Sequence, residues 1–433
     1  MLLFCARMRQ TRFSTEYHDG KVRNNGGHRL QNLHVPAGTE VGTVIPVDFG
    51  DWPGRIVFGT GAVGRLAEVV GRVGGSRALV ICGSTVARTD MLTKVKAGLG
   101  DNLIAVFAEV KSHTPIEMVL RGLDVYRDSG ADVLVTVGGG SAIDAGKAIQ
   151  VMLATGGDLN RYAIRYAPGG AMERQVLPSR TIPHVAVPTT AGSASDVMPT
   201  AAARDPQSRK KLLFWDDDLI PSATVLDPEM AVHTPAALTA ATGMTSVARA
   251  IESLYSGKRH PISTGLALHS VRLSRDALPR SVEVPDDLEA RAACQMACTM
   301  SGMAAINAMV SVVHAIGHIV GGRYGLQHGI SHSILLAPGM RLLLPVIGDG
   351  QTLLLDALGG SRSGNPHQDG AAAADLIAAF VSGLPLPQRL RDVGVTEAEL
   401  AEIANLTMSD YMMANLPRPM AEAEVLALLR SVW

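Results

Sequence analysis

The chain has 433 residues, more than one typical domain of ~100–200 residues, so two domains are the default. Apolar residues make up 47% and charged residues 18%, against ~25% charged in ordinary globular chains, which excludes a largely disordered chain and points to extensive burial or an oligomer interface. With 39 basic and 40 acidic residues the net charge is −1, so no global field favours nucleic acid or an anionic membrane, and 45 glycines beside 4% aromatics suit an α/β enzyme better than a base-stacking surface.

Residues 1–46 are rich in Arg, Asn, Gly and His without periodicity and read as a disordered extension. The opening MLLFC is too short an apolar stretch for a signal peptide, and Arg7, Arg9 and Arg12 follow at once. No run reaches the ~18 consecutive apolar residues of a membrane span. A cytoplasmic protein with no membrane partner is expected. Of the four cysteines, Cys5, Cys82, Cys294 and Cys298, none forms CxxC; a disulfide framework or zinc knuckle is not expected, and a reducing compartment fits.

From residue 55 strands and helices alternate. RIVFGTG reads as a strand and glycine turn, GAVGRLAEVVGRV as a helix, SRALVICG as a buried strand, and MLTKVKAGLG as a helix. NLIAVFAEV is a strand, IEMVLRGLDVYRDSG a helix ending at Gly130, and ADVLVTV a strand running into a glycine loop and helix. TIPHVAVPTTAG adds a strand and a polar turn. This rhythm predicts a parallel sheet with right-handed crossovers over 47–229. The acidic run Asp216–Asp218 reads as a solvated turn. After Leu226-Asp227-Pro228-Glu229 the patterns become helical, with Thr234-Pro235 as cap and first-turn proline, so 230–433 is expected to be an all-helical domain. The stretch GNPHQDGAAAADL near 364–376 reads as a loop followed by a helix.

Two loops point to a nucleotide. Gly138-Gly139-Gly140-Ser141 follows an apolar strand and opens a helix, where backbone N–H groups and the helix N-terminus can hold a pyrophosphate. Asp144 and Lys147 make the motif more distinctive than glycines alone. Pro188-Thr189-Thr190-Ala191-Gly192-Ser193 ends a second strand, and both turns are expected on the carboxyl edge of one sheet. The cofactor-binding set is therefore Gly138, Gly139, Gly140, Ser141, Asp144, Lys147, Thr189, Thr190 and Ser193. Where an acidic residue would select NAD, the chain has Cys82-Gly83-Ser84-Thr85 with Arg88 nearby, so NADPH is expected to be accepted alongside NADH.

In the helical half, SVVHAIGHIVGGRYGLQHGISHSILLAPGM places His314 and His318 on one helical face, with His328 and His332 following. Four histidines within 19 residues on an apolar background favour a site, and metal binding and proton transfer both use this residue type.

With these residues assembled, the chain resembles the iron-containing alcohol dehydrogenase superfamily. The resemblance rests on FGTG at 58–61, GGGSAIDAGK at 138–147, PTTAGSASD at 188–196, LDPE at 226–229, TAATGM at 239–244 and the HAIGH…QHG block. It implies the iron-containing alcohol dehydrogenase (dehydroquinate synthase-like) fold: an N-terminal α/β dinucleotide-binding domain with a parallel sheet, an all-helical C-terminal domain, and a catalytic cleft between them. It also implies NAD(P)-dependent hydride transfer, usually with iron or zinc polarising the oxygen. The family's metal takes an aspartate and a histidine from GMDxxxHAIE and two further histidines, which here are His314 and His328. The first pair is replaced by Thr245 and Arg249. Threonine is a poor ligand and guanidinium cannot coordinate, so no catalytic metal is expected. The maleylacetate reductase-like branch also lacks the aspartate; Glu252-Ser253-Leu254-Tyr255-Ser256 and His332 resemble it, although that branch keeps the histidine replaced by Arg249. The expectation is a metal-independent NAD(P)H-dependent reductase of a small carbonyl compound, an oxo-acid, acting as a homodimer. Its expected catalytic residues are His318 as proton relay, Arg249 as carboxylate clamp or alkoxide stabiliser, and His314 and His328 either on substrate or as packed relics. A non-redox isomerase or cyclase on the same frame, and a non-catalytic binding protein, stand as alternatives.

Overall fold

The computed structural model describes residues 54–157, 159–166, 172–179, 181–205 and 211–433. The expected extension at 1–46 and Cys5 lie outside the described residues.

The first half contains strands β1 (Arg55–Phe58), β2 (Ala78–Gly83), β3 (Leu103–Val110), β4 (Val133–Gly138), β5 (Arg165–Tyr166), β6 (Met172–Glu173), β7 (His184–Pro188), β8 (Thr200–Arg204), β9 (Lys211–Trp215) and β10 (Ala223–Leu226). Between them run helices α1 (Leu66–Arg72), α2 (Ser84–Ala87), α3 (Asp90–Leu99), α4 (Ile116–Ser129), α5 (Gly140–Thr155) and α6 (Leu159–Tyr162). Six strands form one parallel sheet in the order β1-β10-β7-β4-β2-β3. Its strands are buried on both faces, which explains their unbroken apolar character. In β2, Ala78, Val80 and Cys82 pack with Leu66, Val69, Val95 and Leu99 of α1 and α3. Leu79 and Ile81 point the other way, onto Met118, Leu123, Ala148 and Ile149 of α4 and α5.

The antiparallel pair β8–β9 was not anticipated from the sequence. Its alternation sends Ala201, Ala203, Leu212 and Phe214 into the core beneath α5. A strand this short, with three alanines, carries little local signal. Asp217 and Asp218 open a 3-10 turn whose N-cap is Asp216, so the acidic run is the exposed turn it reads as. Cys82, Cys294 and Cys298 are free and buried.

The helical half follows: α7 (Ala236–Tyr255), α8 (Pro261–Glu283), α9 (Leu288–Ala308), α10 (Val312–Tyr324), α11 (His328–Ile347), α12 (Gly350–Ala357), α13 (Pro366–Ser382), α14 (Leu400–Met408) and α15 (Glu422–Ser431). They share one apolar core. The loop near 364 gives way to helix α13 as expected, and Asn365 caps it. Thr234 does not cap α7; Pro235 holds the N-cap position and the Thr234 hydroxyl donates to the Thr189 carbonyl at 2.8 Å. By length and a mean hydropathy of 1.5 over 18 residues, α11 has the dimensions of a membrane span, although its apolar residues do not run unbroken. Its Ile334, Leu335, Leu336, Met340 and Leu343 are buried in the helical core, as in the central helix of a globular domain.

Candidate active site

The sheet places the two polar turns side by side. Gly138 at the end of β4 is in register with Pro188 at the end of β7, and Thr189 N–H donates to the Gly138 carbonyl at 3.0 Å. The glycines are required by this approach. A Cβ on Gly140 would lie 2.8 Å from Ser193 Cβ, and one on Gly139 would lie 3.2 Å from Thr190 Oγ1. Gly138 also has φ +150°, a conformation that side chains resist. Behind them α5 presents the free N–H groups of a 16-residue helix, a fit for a pyrophosphate. Gly138, Gly139, Gly140, Ser141, Thr189, Thr190 and Ser193 are thus brought together as expected.

Sequence reasoning missed a third wall. His113 and Thr114 both adopt left-handed backbone, φ 63° and 50°, and both hold Ser141: His113 N–H donates to its Oγ at 3.1 Å and Thr114 Oγ1 to its carbonyl at 3.2 Å. Backbone strain of this kind, ~1–3 kcal/mol per residue, persists where surrounding structure enforces it.

Asp144 and Lys147, expected at the cofactor, are engaged by the protein itself. Lys147 is fully buried, and its ammonium donates to the carbonyls of Ser195 at 2.6 Å, Met198 at 2.5 Å and Thr200 at 2.9 Å. All three protons are used, so none remains for a phosphate. Burial pulls this ammonium down to about 8, with Asp144 and Asp196 opposing. Asp144 accepts from Ser195 Oγ at 2.5 Å and from Ala202 N–H at 3.3 Å. The GGGSxxDxxK pattern therefore braces the chain that returns from the second polar turn.

Arg249 also differs from expectation. It lies on α7, is 6% exposed, and its Nη2 donates to the carbonyls of Gly192 at 2.9 Å and Ser193 at 3.0 Å, while Nη1 reaches Ser301 Oγ at 3.3 Å. Both protons of one guanidinium nitrogen hold the second polar turn, so the side chain is placed as a strut and not as an open carboxylate clamp. Thr245, one turn earlier, is 8% exposed and directs Oγ1 to the Ala241 carbonyl at 3.4 Å. A Cβ on Gly329 would stand 2.9 Å from Thr245 Oγ1, which sets this part of α7 against the start of α11 and its His328. A second buried arginine, Arg291, donates to Thr239 Oγ1 at 2.7 Å and the Thr234 carbonyl at 3.1 Å, tying α9 to the start of α7.

The four histidines form one chain of rings. His314 and His332 have centroids 4.1 Å apart, His332 and His328 5.9 Å, and His328 and His318 6.0 Å. His314 is anchored through Nδ1 to Glu252, whose carboxyl also accepts from Ser311 Oγ and Val313 N–H, both at 2.8 Å, and from His314 N–H at 3.1 Å. Burial pushes the Glu252 carboxyl up to about 7, opposed by the Ser311 hydroxyl and the backbone N–H groups of Val313, His314 and Ser311. Burial, then the charge of Arg249, holds His314 well below the usual imidazole range. His332 is 1% exposed and is held down by burial first and then by His314, His318 and Arg249; neither of its nitrogens has a partner among the described residues. His328, at the exposed N-terminus of α11, is held down by the surrounding protein and then by Lys211. His318 differs: its side chain is 27% exposed, its Nδ1 meets Asp410 Oδ2 at 2.9 Å, and its ring stacks on Tyr411 with centroids 5.9 Å apart. Asp410 lies 92 residues away in sequence, and no local pattern marked it.

The donor set does not suit a divalent metal. Among the described residues no group of three or more His, Cys, Asp or Glu side chains is placed to hold one, and Arg249 faces the histidine cluster with a permanent positive charge.

Residues 53–228 match the iron-containing alcohol dehydrogenase family, and residues 239–433 match the C-terminal part of that family. The chain belongs to the iron-containing alcohol dehydrogenase family. It is 31% identical over 388 residues to the 1,3-propanediol dehydrogenase of Klebsiella pneumoniae, covering 87% of this chain and 96% of that protein. To the maleylacetate reductase of Rhizobium sp. (strain MTP-10005) it is 29% identical over 382 residues, covering 88% and 96%. To the NAD-dependent methanol dehydrogenase of Bacillus methanolicus it is 31% identical over 250 residues, which is 57% of this chain and 62% of that one. The crystal structure of a 1,3-propanediol oxidoreductase superposes with a TM-score of 0.84 at 29% identity, covering 90% of this chain and all of that one. The parallel-sheet and helical architecture expected from the sequence is therefore the family's fold, and the chain is an oxidoreductase of this family, similar to maleylacetate reductases among others.

Proposed function

We propose that this member of the family is a metal-independent, NAD(P)H-dependent reductase of a small carbonyl compound, with an oxo-acid as the substrate class. A contrast within one cluster carries the reading. At two of the four positions that resemble the family's metal site, Thr245 and Arg249 offer no metal ligand, while His318, outside those four, keeps an Nε2 without a protein partner among the described residues. Reduction then needs a proton donor and a nucleotide seat, and both are supported by the arrangement.

The nucleotide, when bound, supplies the hydride. The rest falls to the chain. Gly138–Ser141 and the N-terminus of α5 would seat the pyrophosphate, and Thr190 and Ser193 would line the same pocket. Arg249 holds the carbonyls of Gly192 and Ser193 and so fixes the height of that pocket's rim. His318 Nε2–H would hydrogen-bond the substrate carbonyl and deliver its proton to the oxygen as hydride reaches the carbon. His314, His328 and His332, held neutral, would form a polar but uncharged wall beside the reacting oxygen. With Arg249 committed elsewhere, a cation among the described residues that could meet a substrate carboxylate is Lys211, paired in register with Arg204 and near enough for its charge to act on His328, His113 and Asp144. Similarity to maleylacetate reductases supports the same substrate class.

NADPH is expected to be accepted as well as NADH. After β2 the segment Gly83–Arg88 offers no carboxylate to repel a 2′-phosphate, and Ser84, Thr85 and Arg88 are exposed. The test is a fluorescence titration of the purified protein with each nucleotide, then a screen of oxo-acids for cofactor oxidation after exhaustive chelation. Micromolar binding and turnover without metal are expected. Failure to bind either nucleotide overturns the reductase reading; activity lost on chelation and restored by iron or zinc overturns metal independence. The isomerase alternative has no support among these relatives, which are dehydrogenases and reductases.

A further inference from the structure

We infer that Asp410 is a positioning residue for the reductase reaction: it dictates which nitrogen of His318 carries the permanent proton and so leaves Nε2 as the proton-transferring atom. The inference rests on the reductase reading for its chemistry but on geometry for its substance.

An imidazole can present either nitrogen, and the hydrogen bond made by one decides the role of the other. Asp410 Oδ2 is 2.9 Å from His318 Nδ1, and the carboxylate is 10% exposed, so the pair sits where the bond is sheltered from water. The other carboxylate oxygen is occupied as well: Oδ1 accepts Met412 N–H at 2.9 Å and caps the 3-10 turn Tyr411–Asn415. Asp410 is thereby fixed at both ends and cannot turn away from the ring. Tyr411, the next residue, stacks on His318 at an interplanar angle of 21°, and His328 meets its other side edge-on at 70°. These contacts leave the ring two flipped positions in one plane. Only the one that directs Nδ1–H at the carboxylate satisfies Asp410, because an ionised carboxylate can only accept.

The titratable neighbours agree with this. His314, His328 and His332 are held neutral, so Asp410 is the charged group that meets the ring directly. The reaction balances as follows. Hydride from the reduced nicotinamide forms the new C–H bond, the C=O π pair moves to oxygen, and the Nε2 proton forms the O–H bond. His318, protonated on both nitrogens when it gives up the Nε2 proton, is left neutral with the Nδ1 proton kept on the ring and donated to Asp410 Oδ2. Solvent, which reaches the 27% exposed ring, returns the Nε2 proton. The opposite tautomer would turn an Nδ1 lone pair toward Asp410, and could give up its single Nε2 proton only by becoming an imidazolate.

The experiment uses Asp410→Asn in the full chain. Asparagine keeps an oxygen for Met412 N–H, so the turn is retained, but its amide faces His318 Nδ1 as a donor and favours the opposite tautomer. Histidine-selective 15N NMR reads the tautomer directly. His318 protonated on Nδ1 in the native protein and on Nε2 in the variant is the expected result. Native His318 protonated on Nε2, or no change in the variant, overturns the inference. Kinetics add a second readout: kcat falls at least tenfold, NADH binding stays within twofold, and Asp410→Glu recovers part of kcat. A variant with native kcat also overturns the inference. If the native protein turns over no carbonyl substrate yet shows the Asp410-dependent tautomer, the dyad stands and the reductase reading falls.

Discussion

Arg249→Met separates the strut from the clamp. The substitution keeps the apolar stem of a side chain that is 6% exposed and deletes the donors to Gly192 and Ser193. Two buried carbonyls lose their partners, at about 1–3 kcal/mol each. Removing a buried cation returns part of this, since its desolvation is no longer needed. A net loss of roughly 2–4 kcal/mol is expected, a large fraction of an ordinary domain's stability. Loosening the rim that presses on Gly139 and Gly140 should also weaken NADH binding about tenfold, equivalent to ~1.4 kcal/mol. Urea unfolding and nicotinamide fluorescence titration measure the two effects. A clamp gives the opposite pattern: native stability, native NADH affinity, and a raised KM for the carbonyl substrate alone. That pattern would refute the strut.

Lys147→Met should destabilise by several kcal/mol, on the order of 3 or more, because three carbonyls at 2.5–2.9 Å lose one shared donor; a stable variant with weakened NADH binding would instead return Lys147 to the cofactor. Stability should fall as the pH drops below ~6.5, the unfolded histidine value. His184, pulled down to about 3 by burial, His328 and His332 stay neutral when folded but protonate when unfolded, and the three contribute a slope of at most ~4.1 kcal/mol per pH unit. The His314–Glu252 pair contributes little to that slope: the folded pair keeps its proton on the raised Glu252 carboxyl and the unfolded pair keeps one on histidine, so the proton counts match between ~4.5 and 6.5. Urea midpoints that stay flat from pH 7.5 to 5.5 would count against buried neutral histidines. Finally, Thr245→Asp with Arg249→His should create zinc or iron affinity with His314 and His328, measured by calorimetry; no binding would place α7 wrongly relative to α11.

What could be read along the chain was whatever short stretches encode by themselves. The parallel sheet was legible because strands buried on both faces must be apolar throughout, as in SRALVIC and ADVLVTV. The glycine loop was legible because a backbone pressed by a neighbouring turn tolerates no Cβ at Gly139 and Gly140. The histidine cluster was legible because His314 and His318 fall one helical turn apart and His328 opens the next helix. The β8–β9 pair was not legible, since alternation over five residues rich in alanine differs little from loop.

The sequence by itself determined the architecture, the two polar turns and the clustering of the histidines, because each rests on local periodicity and on residue types with narrow conformational or chemical range. Tertiary structure decided what the charged residues do. Arg249 reaches its carbonyl 57 residues away, Lys147 its first carbonyl 48 away, and His318 its carboxylate 92 away. A buried charge takes its role from whichever partners the fold carries to it, since leaving it unpaired costs several kcal/mol. Those partners are chosen by packing of helices and sheet edges, which no spacing along the chain records.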